Sequence, residues 1–416
     1  AAGLPIERRG THGGEPVYRW HPLMAHAGRV ILQRRDPELC RDLNRRAARA
    51  LAVMDPFQAA SHALRGKDPG LAASLLRSHW LAAALRGDAE SIAELAGGLP
   101  APWSDDPELL AIRAACLRNS GEAATAVALG RRAQAAADEL DAGHRRQLEL
   151  TLLLARLFVI DPAEELAGAS ERARLSVEGM TVMDGHLRAC AYLLIGWTEL
   201  RLRHTRVALP LLAEAARLCD AEGMNDLADR ARANRNFGRA FAGDFAGARA
   251  ANQAWRPEDR SAGWRRADGG IEWFTEGWIR FWSGDADGAQ HALERALDEG
   301  GGLISYGLLA RCWLVDAAVA TGNLAAIARY EPVLVDVPDH TVQGLPWGLY
   351  RGVALAGVAL ARGKADAAAA ALDRVVQGEP VTPAANVLSA ELYWRCGRAE
   401  AAREQAEGIS EEVPGY

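Results

Sequence analysis

The sequence predicts an all-α fold built as a stack of helical hairpins, an α-solenoid. Three observations predict it. Helix formers (Ala, Leu, Arg and Glu) dominate, and alternating Val/Ile/Thr runs that mark strands are nearly absent. A short turn holding Gly and a polar residue recurs, each time followed by an Ala-rich helix. From His204 onward these turns lie 39, 41, 38, 41 and 34 residues apart, a period that belongs to stacked helical hairpins.

In chain order the clearest copies are "LRNSGEAATAVALG", "AFAGDFAGARAA", "RFWSGDADGAQHAL", "ALARGKADAAAAAL" and "YWRCGRAEAAREQA", with turn glycines Gly121, Gly243, Gly284, Gly363 and Gly397. Weaker copies turn at Gly87 and Gly322. In "LRLRHTRVALPLLAEAA" His204 takes the glycine slot. Gly accepts the left-handed conformation that ends the first helix of a hairpin. Five residues later comes a small residue (Ala126, Ala248, Ala289, Ala368, Ala402), which lets the second helix pack closely on the first. Each hairpin leaves apolar surface that only its neighbours can bury, so the hairpins must stack. This pattern resembles the tetratricopeptide repeat with longer inter-repeat loops. The resemblance implies a right-handed superhelix whose first helices line the concave face.

Composition narrows the function. Net charge is −6 and the pI about 6.0, which gives no overall basic field for nucleic acid. Residues 1–50 are locally basic, with ten Arg against five acids, and read as a solvated helix surface. Six scattered cysteines without a C-x-x-C pair predict buried thiols in a reducing cytoplasm. The longest apolar run, "LELTLLLARLFVI" at 148–160, is too short to span a bilayer and carries Glu149 and Arg156. The first residues lack a start methionine and a hydrophobic signal segment, which predicts a piece of a longer protein.

Catalytic motifs are missing. The chain carries no phosphate loop, no G-x-S-x-G elbow and no H-E-x-x-H pair, so no enzyme, cofactor or metal is expected. "DEGGGL" at 298–303 reads as an inter-helix loop, and Asp339–His340 as a loop pair rather than a dyad. Asp105–Asp106 before Pro107 and Glu164–Glu165 after Asp161–Pro162 read as helix starts.

One segment stands out. "GGIEWFTEGWIRFWSGDADGA", residues 269–289, puts Trp273, Phe274, Trp278, Phe281 and Trp282 into ten positions of a chain that is 6% aromatic. In tetratricopeptide-like hairpins the inward positions fall 13, 10, 6, 3 and 2 residues before the turn glycine. From Gly284 these are Ile271, Phe274, Trp278, Phe281 and Trp282; from Gly243 they include Arg230, Phe237 and Phe241; from Gly322, Cys312 and Asp316; from Gly363, Tyr350 and Gly357. Two readings stand. Phe237, Phe241, Phe274, Trp278, Phe281 and Trp282 line a ligand pocket, with Arg230 or Asp316 holding a polar end. Or the rings are core, where Trp273 belongs. "AWRPEDRSAGWRRADGG" at 254–270 is a polar loop with Trp255 and Trp264, a lid or a surface linker.

A second resemblance lies at the N-terminal end. "YRWHPLMAHAGRVILQRRDPELCRDLNRRAARAL", residues 18–51, is similar to the end of the winged-helix segment in the MalT-like group of LuxR-type transcription regulators. The matching residues are Tyr18 to Leu23, then Arg45, Arg46, Ala47 and Ala48, followed by Ala59, His62, Ala63, Leu64 and Asp68. The stretch "LAGGLPAPWSDDPELLAIRA" at 95–114 matches loosely. The resemblance covers about the first 130 residues and implies three parts: the end of a winged helix (1–50), a helical arm (51–100) and a superhelical sensor (101–416). It also implies a small-molecule inducer, contacts with other domains of the parent regulator, and self-association; the rings suggest an apolar or aromatic inducer and could equally stack on a sugar. ATP is expected only in an upstream domain, and this chain is expected to contact neither DNA nor membrane. The competing reading is a scaffold whose groove takes a peptide or partner helix.

Overall fold

The structure, a computed structural model, describes residues 6–12, 15–53, 55–119, 122–158, 163–254, 270–300, 305–336, 347–378 and 382–409. It opens with an antiparallel hairpin of β1 (Ile6–His12) and β2 (Glu15–Trp20), the one sheet among the described residues. Among the described residues, the regular elements after it are all helices. Helices α1 (Pro22–Arg35), α2 (Pro37–Leu51) and α3 (Pro56–Arg65) lead into the stack.

Nine helix pairs follow among the described residues. They are α4 (Pro69–Arg86) with α5 (Ala89–Gly97), α6 (Pro107–Asn119) with α7 (Ala123–Ala135), α8 (Ala142–Leu157) with α9 (Ala163–Gly179), and α10 (Gly185–Arg201) with α11 (Thr205–Ala221). Next come α12 (Asn225–Phe241) with α13 (Phe245–Ala254), and α14 (Ile271–Trp282) with α15 (Ala286–Gly300). The last three pairs are α16 (Ser305–Thr321) with α17 (Leu324–Asp336), α18 (Trp347–Ala361) with α19 (Ala365–Gly378), and α20 (Pro383–Arg395) with α21 (Ala399–Glu407). The chain is thus an all-α solenoid of tetratricopeptide-like hairpins.

Local chemistry sets the boundaries. Four helices begin with Asp-Pro, and in each the Asp side chain accepts a backbone N–H three residues on: Asp36 from Leu39, Asp55 from Gln58, Asp68 from Leu71 and Asp106 from Leu109. Pro fits the first turn because its missing N–H has no partner there anyway. Asp106 is therefore the helix start that its sequence context predicts.

The turn glycines Gly87, Gly243, Gly284, Gly322, Gly363 and Gly397 all adopt positive φ, between 69° and 89°. Gly121 lies outside the described residues. One assignment needs correcting. The left-handed residue between α10 and α11 is Arg203 (φ 67°), and His204 begins the next helix instead. Counted from Arg203, the small residue five places on is Ala208, fully buried like Ala248, Ala289 and Ala368.

The first helices of successive hairpins from α10 to α20 touch one another. The second helices of the later hairpins pack on the first helix of their own hairpin and of the next. First helices therefore form the inner row. The row also bends back on itself, since α4 contacts α10 three hairpins later. Arg86 at the end of α4 pairs with Asp226 of α12 through Nε (2.5 Å) and Nη2 (2.8 Å). His79 of α4 meets the His186 ring of α10 edge-on at 4.8 Å. Before residue 100, α4 and α5 form a hairpin around the left-handed Gly87, the same turn type as in the later pairs.

Candidate functional site

The inner row holds the aromatic residues singled out above. Phe237 and Phe241 come from α12, Phe274 and Trp278 from α14. The Phe237 ring lies 5.5 Å from Phe274 and 6.2 Å from Trp278, and Phe241 lies 5.6 Å from Trp278. Two further rings complete the cluster: Tyr350, an inward position counted from Gly363, and Trp313, which the count does not reach. Trp313 of α16 sits 4.5 Å from Trp278, and Tyr350 of α18 sits 6.2 Å from it. Contact between α14 and α18, two hairpins apart, is geometrically open only to side chains that face the axis. Phe237, Phe274, Trp278, Trp313 and Tyr350 are all at most 1% exposed. Phe281 and Trp282 are half-buried at the rim, 5.0 and 5.7 Å from Trp313. The rings thus fill the axis with one another in edge-on and tilted contacts, the geometry that aromatic quadrupoles favour. Trp273 turns away, donating from Nε1 to Glu299 at 3.1 Å beneath the Arg295 guanidinium.

The two candidate charges go to different places. Arg230 donates to the carbonyl of Leu85 and so ties α12 to the end of α4. Asp316 stays on the inner face of α16. It is 8% exposed and makes no hydrogen bond or ion pair among the described residues. Burial, and then the charge of Glu391, push its carboxyl well above the usual carboxylate range.

The residue six places before each turn glycine traces the inner row: Phe237, Trp278, Asp316, Gly357, Glu391. The first two are sealed in the cluster. The last three belong to α16, α18 and α20, and there the character changes. Gly357 has no side chain, and a Cβ added there would meet Val319 of α16 at 3.6 Å and Leu392 of α20 at 3.9 Å. Three residues beyond Glu391, Trp394 is 69% exposed. Neither Glu391 nor Trp394 is among the residues that sequence reasoning singled out. The same count from Gly397 finds both.

A cleft of about 340 Å³ lies elsewhere, lined by residues of α7, α8 and α9 that include Gln134, Arg145, Glu149, Arg156 and Arg172. Arg145 is occupied there with the carbonyls of Ala137, Asp138 and Leu140, and Arg156 pairs with Glu165. Four thiols are buried; burial pushes Cys116 and Cys219 up to about 12, so both stay protonated. Among the described residues no group of three or more His, Cys, Asp or Glu is placed to hold a metal ion, and no helix is long and apolar enough to cross a membrane. Asp339–His340, Trp255 and Trp264 lie outside the described residues.

A family model for the tetratricopeptide repeat matches residues 359–416, the end of α18 through α21 and beyond. No curated protein matches the chain. Within the matched stretch Trp394 is 69% exposed.

Proposed function

We propose that the chain is a tetratricopeptide-type scaffold that receives a partner polypeptide on the inner face of α16, α18 and α20. One observation carries this reading: three places before the turn glycine, Phe281 is half-buried against Trp313 while Trp394 is 69% exposed. Rings of the chain itself occupy the axis at α12 and α14, whereas a large apolar ring stands uncovered at α20. Exposed aromatics on a concave helical face are typical anchors for a bound peptide. The test is an array of overlapping random-sequence peptides probed with the full chain and with Trp394→Ala. Peptides that bind the parent and lose binding to the variant support the reading. A peptide set retained in full by the variant contradicts it.

A second reading, the inducer-binding sensor of a MalT-like LuxR-type regulator, draws on two observations. The indole N–H of Trp313 is buried in the cluster without a hydrogen-bond partner, and a ligand acceptor would satisfy it. At the N-terminal end, Trp20, Leu23, Met24 and Ile31 are each about half exposed or more, as expected of a segment that packs on a neighbouring domain. On this reading Phe281 and Trp282, at the rim, are the rings an inducer reaches first. Loss of an aromatic ligand's fluorescence quenching in Trp282→Ala, with unchanged melting, supports it; quenching that survives contradicts it.

A further inference from the structure

We propose that the groove between α7 and α8 is a second docking site, fitted to a three-turn amphipathic helix of a partner protein with apolar residues on one face and acidic residues beside them. The groove lies at the other end of the stack from α20 and shares no residue with the inner-face site.

At this joint the stacking rule breaks. In the other hairpins that have a successor, the second helix packs on the first helix of the next; α7 packs on α6 but does not pack along α8. Hairpins of a solenoid bury their apolar faces against neighbours, so the joint leaves such a face uncovered. Space is present there. The cleft of about 340 Å³ over Leu148 and Leu152 runs into a smaller one of about 140 Å³ over Ala114 and Ala155, and the two share Leu152 and Arg156. Gly130 of α7 lines the smaller cleft, and a Cβ added there would meet nothing within 4 Å. Val127, one turn before it, is 47% exposed. Arg145 fixes the opening, because it pins the α7–α8 connection to the start of α8 through the carbonyls of Ala137, Asp138 and Leu140. From Arg145 to Arg156 the floor runs about 16 Å along α8, the length of three helical turns. At the other joints a helix of the chain itself covers the following first helix, so a helix is the shape this gap accepts. Charge selects among helices. Arg118, Arg145, Arg156 and Arg172 line the two clefts against two acids, Asp138 and Glu149. Arg156 is paired with Glu165 at 2.9 Å. Arg145 donates to neutral carbonyls, and Arg172 makes no ion pair among the described residues, so neither is matched with a carboxylate. An apolar floor with a positive border fits a helix whose leucines point down and whose carboxylates reach the rim.

The probe is a fluorescein-labelled sixteen-residue helical peptide with a Leu stripe at three- and four-residue spacing and Glu on both flanks. The control carries Lys in place of every Glu. The full chain, Gly130→Leu and Arg172→Glu are titrated with both. The acidic peptide is expected to bind the parent at least about tenfold more tightly than the basic one. Gly130→Leu fills the groove from α7 and is expected to block binding without lowering the melting temperature, since Leu is the better helix former. Arg172→Glu, at an exposed position, is expected to weaken the acidic peptide at least about threefold. Equal binding of the two peptides, or binding kept in full by Gly130→Leu, overturns the proposal. Binding lost in Trp394→Ala and kept in Gly130→Leu assigns the peptide to the inner face and overturns the groove alone. No binding of the acidic peptide also overturns the groove and leaves the inner-face reading standing. If the chain sediments as a dimer and Gly130→Leu makes it a monomer, the groove takes a second copy and the acidic partner is wrong.

Discussion

Asp316 illustrates what single residues disclose. An ionised carboxylate buried without a partner is costly, so the native fold holds its proton more tightly than the unfolded chain does. Its contribution to stability is full below the unfolded value and is lost as pH rises through the raised folded value. Asp316→Asn is therefore expected to stabilise the chain at pH 8 relative to the parent, with the gain shrinking as pH falls towards 4. Denaturant unfolding at both pH values checks this; a destabilised variant at pH 8 contradicts it. His79 runs the other way. Burial, and then the nearby His186, push it down to about 4, while Asp184 opposes that shift and Arg86 adds to it. The unfolded chain takes up the proton first, so stability falls as pH drops from about 6.5 towards 4. In His79→Gln that part of the slope is expected to vanish. An unchanged pH profile would show that the His79–His186 contact does not persist in solution. Trp278, at the centre of the cluster, should cost about 3–5 kcal/mol when truncated to Ala. A loss under 1 kcal/mol would return it to a pocket wall.

At the scale of the element, the hairpins were largely legible in the sequence. Glycine at the end of a first helix and alanine five places later both follow from backbone and packing constraints that act over a few residues. The miss at His204 came from looking for glycine, when Arg203 itself takes the left-handed conformation. Trp313 escaped because it stands nine places before Gly322, off the five inward positions used for counting. The short β1–β2 hairpin escaped because its two strands carry only a brief, broken alternation. Gly270 offers a sharp test of the hairpin joints. It has φ 89°, and a Cβ there would come within 2.4 Å of the Ala296 carbonyl oxygen. Since a left-handed residue with a side chain alone costs about 1–2 kcal/mol, Gly270→Ala is expected to destabilise by more than that. A variant with parental melting behaviour would place α14 against α15 differently.

At the scale of the whole molecule, little was legible, because a local period does not say which turns of the coil meet. The Arg86–Asp226 pair joins residues 140 apart in sequence, and Arg230 reinforces it at the Leu85 carbonyl. The exposed ring of the inward positions, Trp394, is at the far end, on α20. Arg86→Met is expected to cost about 1.5–3 kcal/mol, the worth of a hydrogen bond to a charged group, and to enlarge the radius measured by X-ray scattering. Unchanged size and stability would contradict the closure.

The central claim is that the solenoid binds at its open end and not along its ring-filled axis. Hydrogen exchange of the full chain, with and without a saturating array-selected peptide, tests it most directly. Slowed exchange confined to α16, α18 and α20 is the predicted result. Protection centred on α12 and α14, or on α1 and α2, with α20 unchanged, would contradict it.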